Sequence, residues 1–358
     1  MTGEAQSPPG IVDLKRFFSE IDRFGRNALA CLGSMVLMMQ LVGLFVPPSS
    51  VRMMALKPAP VMSVPRATLP PGGFEDLYRQ IAPGGLVREF ELVSVPSSDR
   101  LLTGFNQLGF TLETTGLASK PVPRLFIAKV PSDLGALRSV GARKSIFIRV
   151  VLPLILRQNA RILQDRARLI PMTETGTLTG DEKVWLRELG HRFAMPEEGA
   201  LRPDWLAELV LRVDSVPVAL AVAQAAAESG WGTSRFARRG NALFGERTWM
   251  PSAGLRPDGI AEDEKFSVRR YGTLAHSIRS YVMNLNTSPH YREFRVSRAG
   301  YRRRDEPLSG TGLAAYLTAY SERGEAYVDD LRQIIRVNRL EALEGARLGP
   351  IRMEPKVG

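Results

Sequence analysis

Residues 218–227 read VALAVAQAAA, ten positions without a charge in which six side chains are alanine and Gln224 is the only polar one. Alanine is the best helix former, and this run has no polar face to turn toward water. Small side chains all round also let neighbouring helices approach closely. The run therefore predicts a central buried helix, and it obliges the rest of the chain to supply elements that cover it. Pro217 suits its first turn, with Asp214 or Ser215 as cap. Ser229-Gly230-Trp231-Gly232 stops it just after Glu228.

The covering elements are legible as further helices. Ile146, Phe147, Val150, Val151, Leu154 and Ile155 recur at helical spacing, with Pro153 expected to kink the helix or mark a new start. The pattern continues through Asn159–Leu169. Thr179 and Glu182 make a capping box ahead of WLRELGHRFAM. Pro203 opens DWLAELVLRV, and Leu274–Leu285, Leu313–Tyr320 and Glu325–Asn338 also read as helices. No fixed-period repeat is present. The fold class is mainly α.

The N-terminal part follows other rules. Ala28–Val46 is 19 residues without a charge. At 1.5 Å per residue it reaches ~28 Å, enough to cross a hydrocarbon core of ~30 Å. It exceeds the roughly 7–15 apolar residues of a cleaved signal and no A-x-A site follows, so a retained signal anchor is expected. Residues 47–73 hold seven prolines and two glycines, a semi-extended spacer. The expected layout is a short cytoplasmic tail (1–27), a transmembrane helix (28–46), a linker (47–73), an irregular region of unassigned role (74–142), the helical domain (143–343) and a flexible tail (344–358).

Composition narrows the chemistry. Cys31 is the only cysteine, and His191, His276 and His290 are far apart, so no metal centre or other cofactor is expected. The 48 basic residues exceed the 37 acidic ones by 11, and only eight of them are lysine. Such a surface attracts polyanions: nucleic acid, acidic lipid or acidic wall polymer. The bases lack interleaved aromatics and no nucleic-acid motif is visible, so no nucleic acid is expected. Arg298, Arg302, Arg303 and Arg304 form the densest basic cluster.

Glu228, at the end of the uncharged helix, sits where the helix dipole disfavours a negative charge and where apolar neighbours such as Trp231 would desolvate it. Both effects raise its pKa. A carboxylic acid protonated near neutral pH is what a glycosidase needs to protonate a leaving oxygen. A solvent-facing Glu that merely ends a helix is the alternative.

The segment AQAAAESGWGTSRFARRGNALFG resembles the catalytic helix and following loop of the glucosaminidase family, glycoside hydrolase family seventy-three, and within it the bacterial Bax-type proteins. Further resembling pieces are FIRVVLPLILRQN (147–159), Gly254-Leu255-Arg256-Pro257, SIRSYVMNLNTSPHY (277–291) and YSERGEAYVDDLRQIIRVNRL (320–340). Together they cover roughly residues 143–340.

This resemblance implies a lysozyme-like helical domain with a small β-hairpin lobe. The implied reaction is cleavage of β-1,4-linked N-acetylglucosamine in peptidoglycan. It implies Glu228 as the catalytic acid, with Trp231, Asn241 and Phe244 walling the cleft. A ring offers an apolar face to a sugar and an amide can bond a hydroxyl or acetamido group, although Phe244 is by type first a core residue. A second acid is expected before a β-lobe strand that ends at Tyr271: Glu264 first, Glu262 second, unless the three acids 262–264 are only a solvated turn. If one held a water, it would stand roughly 6.5–9.5 Å from Glu228 and hydrolysis would invert; otherwise the substrate's acetamido group would act, with retention. Tyr271 and Tyr320 are candidate substrate-binding residues. The basic face would meet the carboxylates of the wall polymer. The substrate places the protein in a bacterial inner membrane, spanning once through residues 28–46 with its catalytic domain in the periplasm. A lytic transglycosylase of the same fold, or a wall-binding scaffold without activity, are the competing readings.

Overall fold

The computed structural model describes Val95 and residues 97–113, 115, 120–174, 177–258 and 266–349. The expected membrane span, the proline-rich linker and Glu262 and Glu264 lie outside the described residues. Among the described helices none is long and apolar enough to cross a membrane.

The helices are α1 (Ser98–Gln107), α2 (Val140–Glu174), α3 (Gly180–Arg192), α4 (Pro203–Arg212), α5 (Val218–Ser229), α6 (Arg235–Gly240), α7 (Leu274–Thr287), α8 (Arg292–Arg303), α9 (Gly310–Leu313) and α10 (Glu325–Val337). Three short strands, β1 (Arg247–Thr248), β2 (Gly254–Leu255) and β3 (Ser267–Arg269), form one antiparallel sheet in the order β1-β3-β2. Arg247 pairs with Val268, and Gly254 with Arg269. The molecule is mainly helical, as the patterning requires.

The alanine helix α5 is buried from Val218 to Ala226 and is covered by α2, α9, α10 and the 3-10 turn Leu340–Leu343. Its small side chains set the spacing. Gly310 of α9 lies so close that a Cβ there would meet Ala219 Cβ and Leu220 N, both at 2.9 Å. Helix α2 is the long partner. Its 35 residues run unbroken through Pro153, with Ile146–Leu156 buried. Proline removes one helical hydrogen bond, at a cost of about 3 kcal/mol. Apolar packing on every side of this stretch holds the helix, so no new start occurs there. Asn159 of α2 pairs with the backbone of Val216, donating to its carbonyl (2.7 Å) and accepting from its N–H (3.1 Å), which fixes the entry to α5.

Three local expectations change. The cap of α5 is not Asp214 or Ser215: Pro217 holds the N-cap position, and the free N–H groups of Val218 and Ala219 donate to Glu344, at 3.0 and 2.9 Å. Asp214 is otherwise engaged. It is 2% exposed and takes Arg302 at 2.9 and 3.1 Å, with Arg166 and Arg298 within 4 Å. The chain after residue 343 is therefore not a free tail as far as Gly349, because Glu344 caps α5 and Leu348 bridges to Val122. Finally, the stretch expected to be irregular contains α1, capped by Ser97, and its segment 122–134 buries Leu125, Phe126 and Ile127 in the same core as α2 and α5. The capping box at Thr179 and Glu182 and the proline start at Pro203 form as expected.

The arginine cluster is also redistributed. Arg298 is fully buried and donates to the carbonyls of Leu211, Asp214 and Ser215 and to Asn286. Arg302 pairs with Asp214, and Arg304 pairs with Glu306 at 2.7 Å. Two of the four arginines thus tie α8 to the start of α5, instead of forming an open basic face.

Two stability tests follow from these ends. Burial alone would raise the Asp214 carboxyl, but Arg298, Arg302 and Arg166 hold it below its ordinary value. A depressed folded pKa stabilises above the unfolded pKa and is lost as pH falls through the folded one. Asp214→Ala should cost about 3–5 kcal/mol in urea unfolding at neutral pH, by leaving buried arginine unpaired. Glu344 has the opposite sign. Burial pushes its carboxyl up to about 7, against its two N–H donors. Its contribution is full below the unfolded pKa and is lost as pH rises through about 7. Glu344→Gln should flatten the fall in melting temperature across this window, at a lower absolute stability because one amide oxygen faces two donors.

Candidate active site

Glu228 occupies the last turn of α5, and the chain turns away from it under constraint. Gly230, Trp231 and Gly232 all have positive φ, at 57°, 57° and 78°. A Cβ at Gly232 would lie 2.9 Å from the Phe147 ring, so the loop presses directly onto α2. Trp231 is not a glycine, and its left-handed backbone costs of order 1 kcal/mol. The Trp231 N–H closes the helix by donating to Ala226 O at 2.9 Å.

Behind Glu228 runs a line of polar groups through the core. The Tyr281 hydroxyl donates to Gln224 Oε1 at 2.6 Å, and Gln224 Nε2 donates to the Tyr327 hydroxyl at 3.0 Å. The Tyr327 hydroxyl in turn bonds the Glu228 carboxylate. Gln224 and Glu228 share one face of α5 because they are four residues apart. The lone polar residue of the alanine run is thus the link that sets the Tyr327 hydroxyl.

The carboxyl of Glu228 is raised above its ordinary value. Burial is the main cause, partly offset by the Tyr327 hydrogen bond and the Arg323 guanidinium. Arg323 is itself tied to Asp330 at 2.6 Å. Tyr320 stacks on Tyr327, with centroids 5.7 Å apart and planes 2° apart, and donates to Phe244 O at 3.1 Å. Burial, then the Glu228 charge, hold the Tyr320 hydroxyl well above its usual range. Glu228 is itself only partly buried.

The β-lobe is locked to the helical body by side chains between the two. Asn241, in a left-handed conformation that ends α6, donates to Tyr271 O (2.9 Å) and Gly272 O (3.1 Å). Its ring-side neighbour Phe244 is 3% exposed and stacks on Tyr281 at 3.9 Å. Both are therefore held in structural contacts. The Tyr271 hydroxyl donates to Glu246 Oε2 at 2.7 Å, and the Ser280 hydroxyl to the same oxygen at 2.6 Å. Gly245, the residue before Glu246, lies close to the other acid: a Cβ there would be 3.6 Å from Glu228 Oε2. Trp231 turns its ring to α2, where Phe147 meets it edge-on at 5.9 Å and Lys144 Nζ lies 4.6 Å from its centroid.

Of the residues singled out from the sequence, Tyr320 reaches Glu228 through its stacking on Tyr327, and Tyr271 is bonded to Glu246. Asn241 and Phe244 support it from behind, and Trp231 faces α2. Gln224, Tyr281, Tyr327 and Glu246 were not chosen. Tyr327 and Gln224 carried a signal, being four apart from Glu228 or in a resembling segment; Glu246 carried none, since only the fold sets it beside Ser280. Among the described residues no group of three His, Cys, Asp or Glu side chains converges as a metal site would require.

Comparison with known proteins is consistent with this geometry. The family model described as mannosyl-glycoprotein endo-beta-N-acetylglucosaminidase matches residues 206–340, a range that holds α5, the β-lobe, Tyr320 and Tyr327. The chain is similar to the protein bax of Escherichia coli (strain K12), with 35% identity over 195 residues, 54% of this chain and 69% of that protein. No solved structure matches the chain. The partly buried carboxyl of Glu228 and the tyrosines beside it thus fall inside the matched segment, and the chain belongs to the Bax-type glucosaminidase family.

Proposed function

We propose that this protein hydrolyses the glycan strands of peptidoglycan at β-1,4-linked N-acetylglucosamine, with Glu228 as general acid. The observation that carries the reading is the environment of Glu228: a partly exposed carboxyl at a helix C-terminus, raised by burial, and aimed by Tyr327. A protonated carboxyl can give its proton to the glycosidic oxygen as the C1–O bond breaks. The domain is lysozyme-like in this reading, with the acid at the end of a buried helix beneath a small three-stranded lobe. Tyr320 and Arg323 flank the reacting sugar. Residues 28–46 anchor the protein in the inner membrane and the helical domain works in the periplasm, where the polymer lies.

Product analysis tests the reaction. The purified protein and its Glu228→Gln variant are incubated with peptidoglycan, and the fragments are analysed by mass spectrometry. New N-acetylglucosamine reducing ends are expected from the wild type, with the variant slower by about 10²–10⁴-fold. Anhydro-muramyl ends would assign transglycosylation instead, and release of nothing would favour a wall-binding scaffold.

The pH profile tests the acid itself. Activity should persist above the ordinary carboxyl range and fall as pH rises through the raised pKa of Glu228. Tyr327 stabilises the ionised form through its hydrogen bond. Tyr327→Phe should therefore move the basic limb of kcat/KM to higher pH, whereas a loss of activity with an unmoved limb would contradict this assignment.

A further inference from the structure

We propose that a groove between the end of α2, α4 and α8 binds an acyl lipid with a phosphate headgroup, at a site that shares no residue with the surroundings of Glu228 and does not depend on the hydrolase reading. The groove holds about 1050 Å³, at the upper end of the ~300–1,000 Å³ of small-molecule sites. Its apolar wall is made by Ile170 of α2, Leu178 and Leu201 from the segments on either side of α3, and Leu206 and Val210 of α4. All five are only half-buried. Leu201 is also held at a left-handed φ of 70°. That conformation is uncommon for a bulky aliphatic residue and persists only where the surroundings impose it.

The other wall is cationic, and its charge is not balanced. Arg166, Arg302 and Arg303 line it. Arg166, Arg298 and Arg302 all turn to one carboxylate, Asp214, at 3.8, 3.9 and 2.9 Å. Among the described residues Asp214 is the one acid that acts on Arg166 and on Arg298. Three guanidiniums against one carboxylate leave two positive charges over. Arg303 is exposed and adds one more; Glu174, the exposed acid at the rim, offsets one. Arg298 is fully buried, and an excess of charge is costly where water is excluded. Asp214 and Ser215 occupy Nε and Nη2 of Arg302 and leave its Nη1 without a hydrogen bond among the described residues.

The two walls together select the ligand. An inorganic anion would leave the apolar wall uncovered, and an uncharged chain would leave the arginines unmatched. A protein partner needs about 800 Å² on each side, more than a wall of five side chains provides. A phosphate on an acyl chain meets both demands: the chain covers Ile170, Leu201, Leu206 and Val210, and the headgroup takes the planar guanidiniums of Arg166, Arg302 and Arg303. The bound lipid would join α2, α4 and α8 beside Asp214 and Ser215, where the chain enters α5.

The test uses the full-length protein in an uncharged detergent. It is titrated with dodecyl phosphate that carries a terminal diazirine, and the cross-linked peptides are mapped by mass spectrometry. Saturable labelling of the end of α2, of α4 and of the end of α8 is expected. Dodecanol with the same diazirine should not label the groove, and inorganic phosphate at equal concentration should not compete. Arg303→Glu changes an exposed side chain, so its melting temperature should be that of the wild type, and it should weaken the labelling by about tenfold or more. Leu206→Glu should weaken it as well; if that variant unfolds, Arg303→Glu decides. Labelling elsewhere, equal labelling by dodecanol, or full labelling of folded Arg303→Glu would overturn the proposal. Competition by inorganic phosphate alone would overturn it in favour of a free-anion site. Absence of labelling would also overturn it, and capture of an acidic amphipathic peptide by the groove would then assign it to a protein partner.

Discussion

A helix whose first turns are surrounded by protein cannot leave its leading N–H groups to water, and α5, buried from Val218 to Ala226, is such a helix. Its first N–H groups are met by a carboxylate that arrives from more than a hundred residues away, Glu344. Its last turn carries the carboxyl of Glu228. The two acids feel opposite fields: partial positive charge from the helix at Glu344, partial negative charge at Glu228. Burial raises both. At Glu344 the N–H donors offset part of that rise and yield a cap. At Glu228 the offset comes from one tyrosine and one arginine, and the carboxyl stays above its ordinary value.

The polar line through Gln224 follows from the same burial. An amide inside an alanine helix must find both a donor and an acceptor, and Tyr281 and Tyr327 supply them. Once Gln224 donates to the Tyr327 oxygen, the Tyr327 proton is left for Glu228. Orientation of the acid thus begins in the core and ends at the surface, through side chains that are each satisfied. The stacked pair Tyr320 and Tyr327, and the stacked pair Phe244 and Tyr281, keep this line from tilting.

The β-lobe is too small to hold itself, with strands of two or three residues. It is held instead by what reaches it from the helices. Asn241 fastens its far end at Tyr271 and Gly272. Glu246 fastens Tyr271 to Ser280 on α7, and Arg247 reaches Glu322 at 3.9 Å. The residues that resemble the family's loop thus act mostly as scaffolding for the lobe.

The sequence by itself determined the helices, the capping box at Thr179, the buried alanine run and the placing of Glu228 at its end. Those are local properties: periodicity, propensity and turn chemistry act over a few residues. It did not determine the cap of α5, the fate of the arginine cluster or the choice among tyrosines. Asp214 is near α5 in sequence, but three arginines outcompete the backbone N–H groups for it, and Arg298 is buried because α8 folds back onto the start of α5. Tyr327 and Glu246 join the site only when α10 and the β-lobe pack beside α5. Only the tertiary structure decided these pairings, because a buried charge or hydroxyl selects its partner by distance in space after the core has closed.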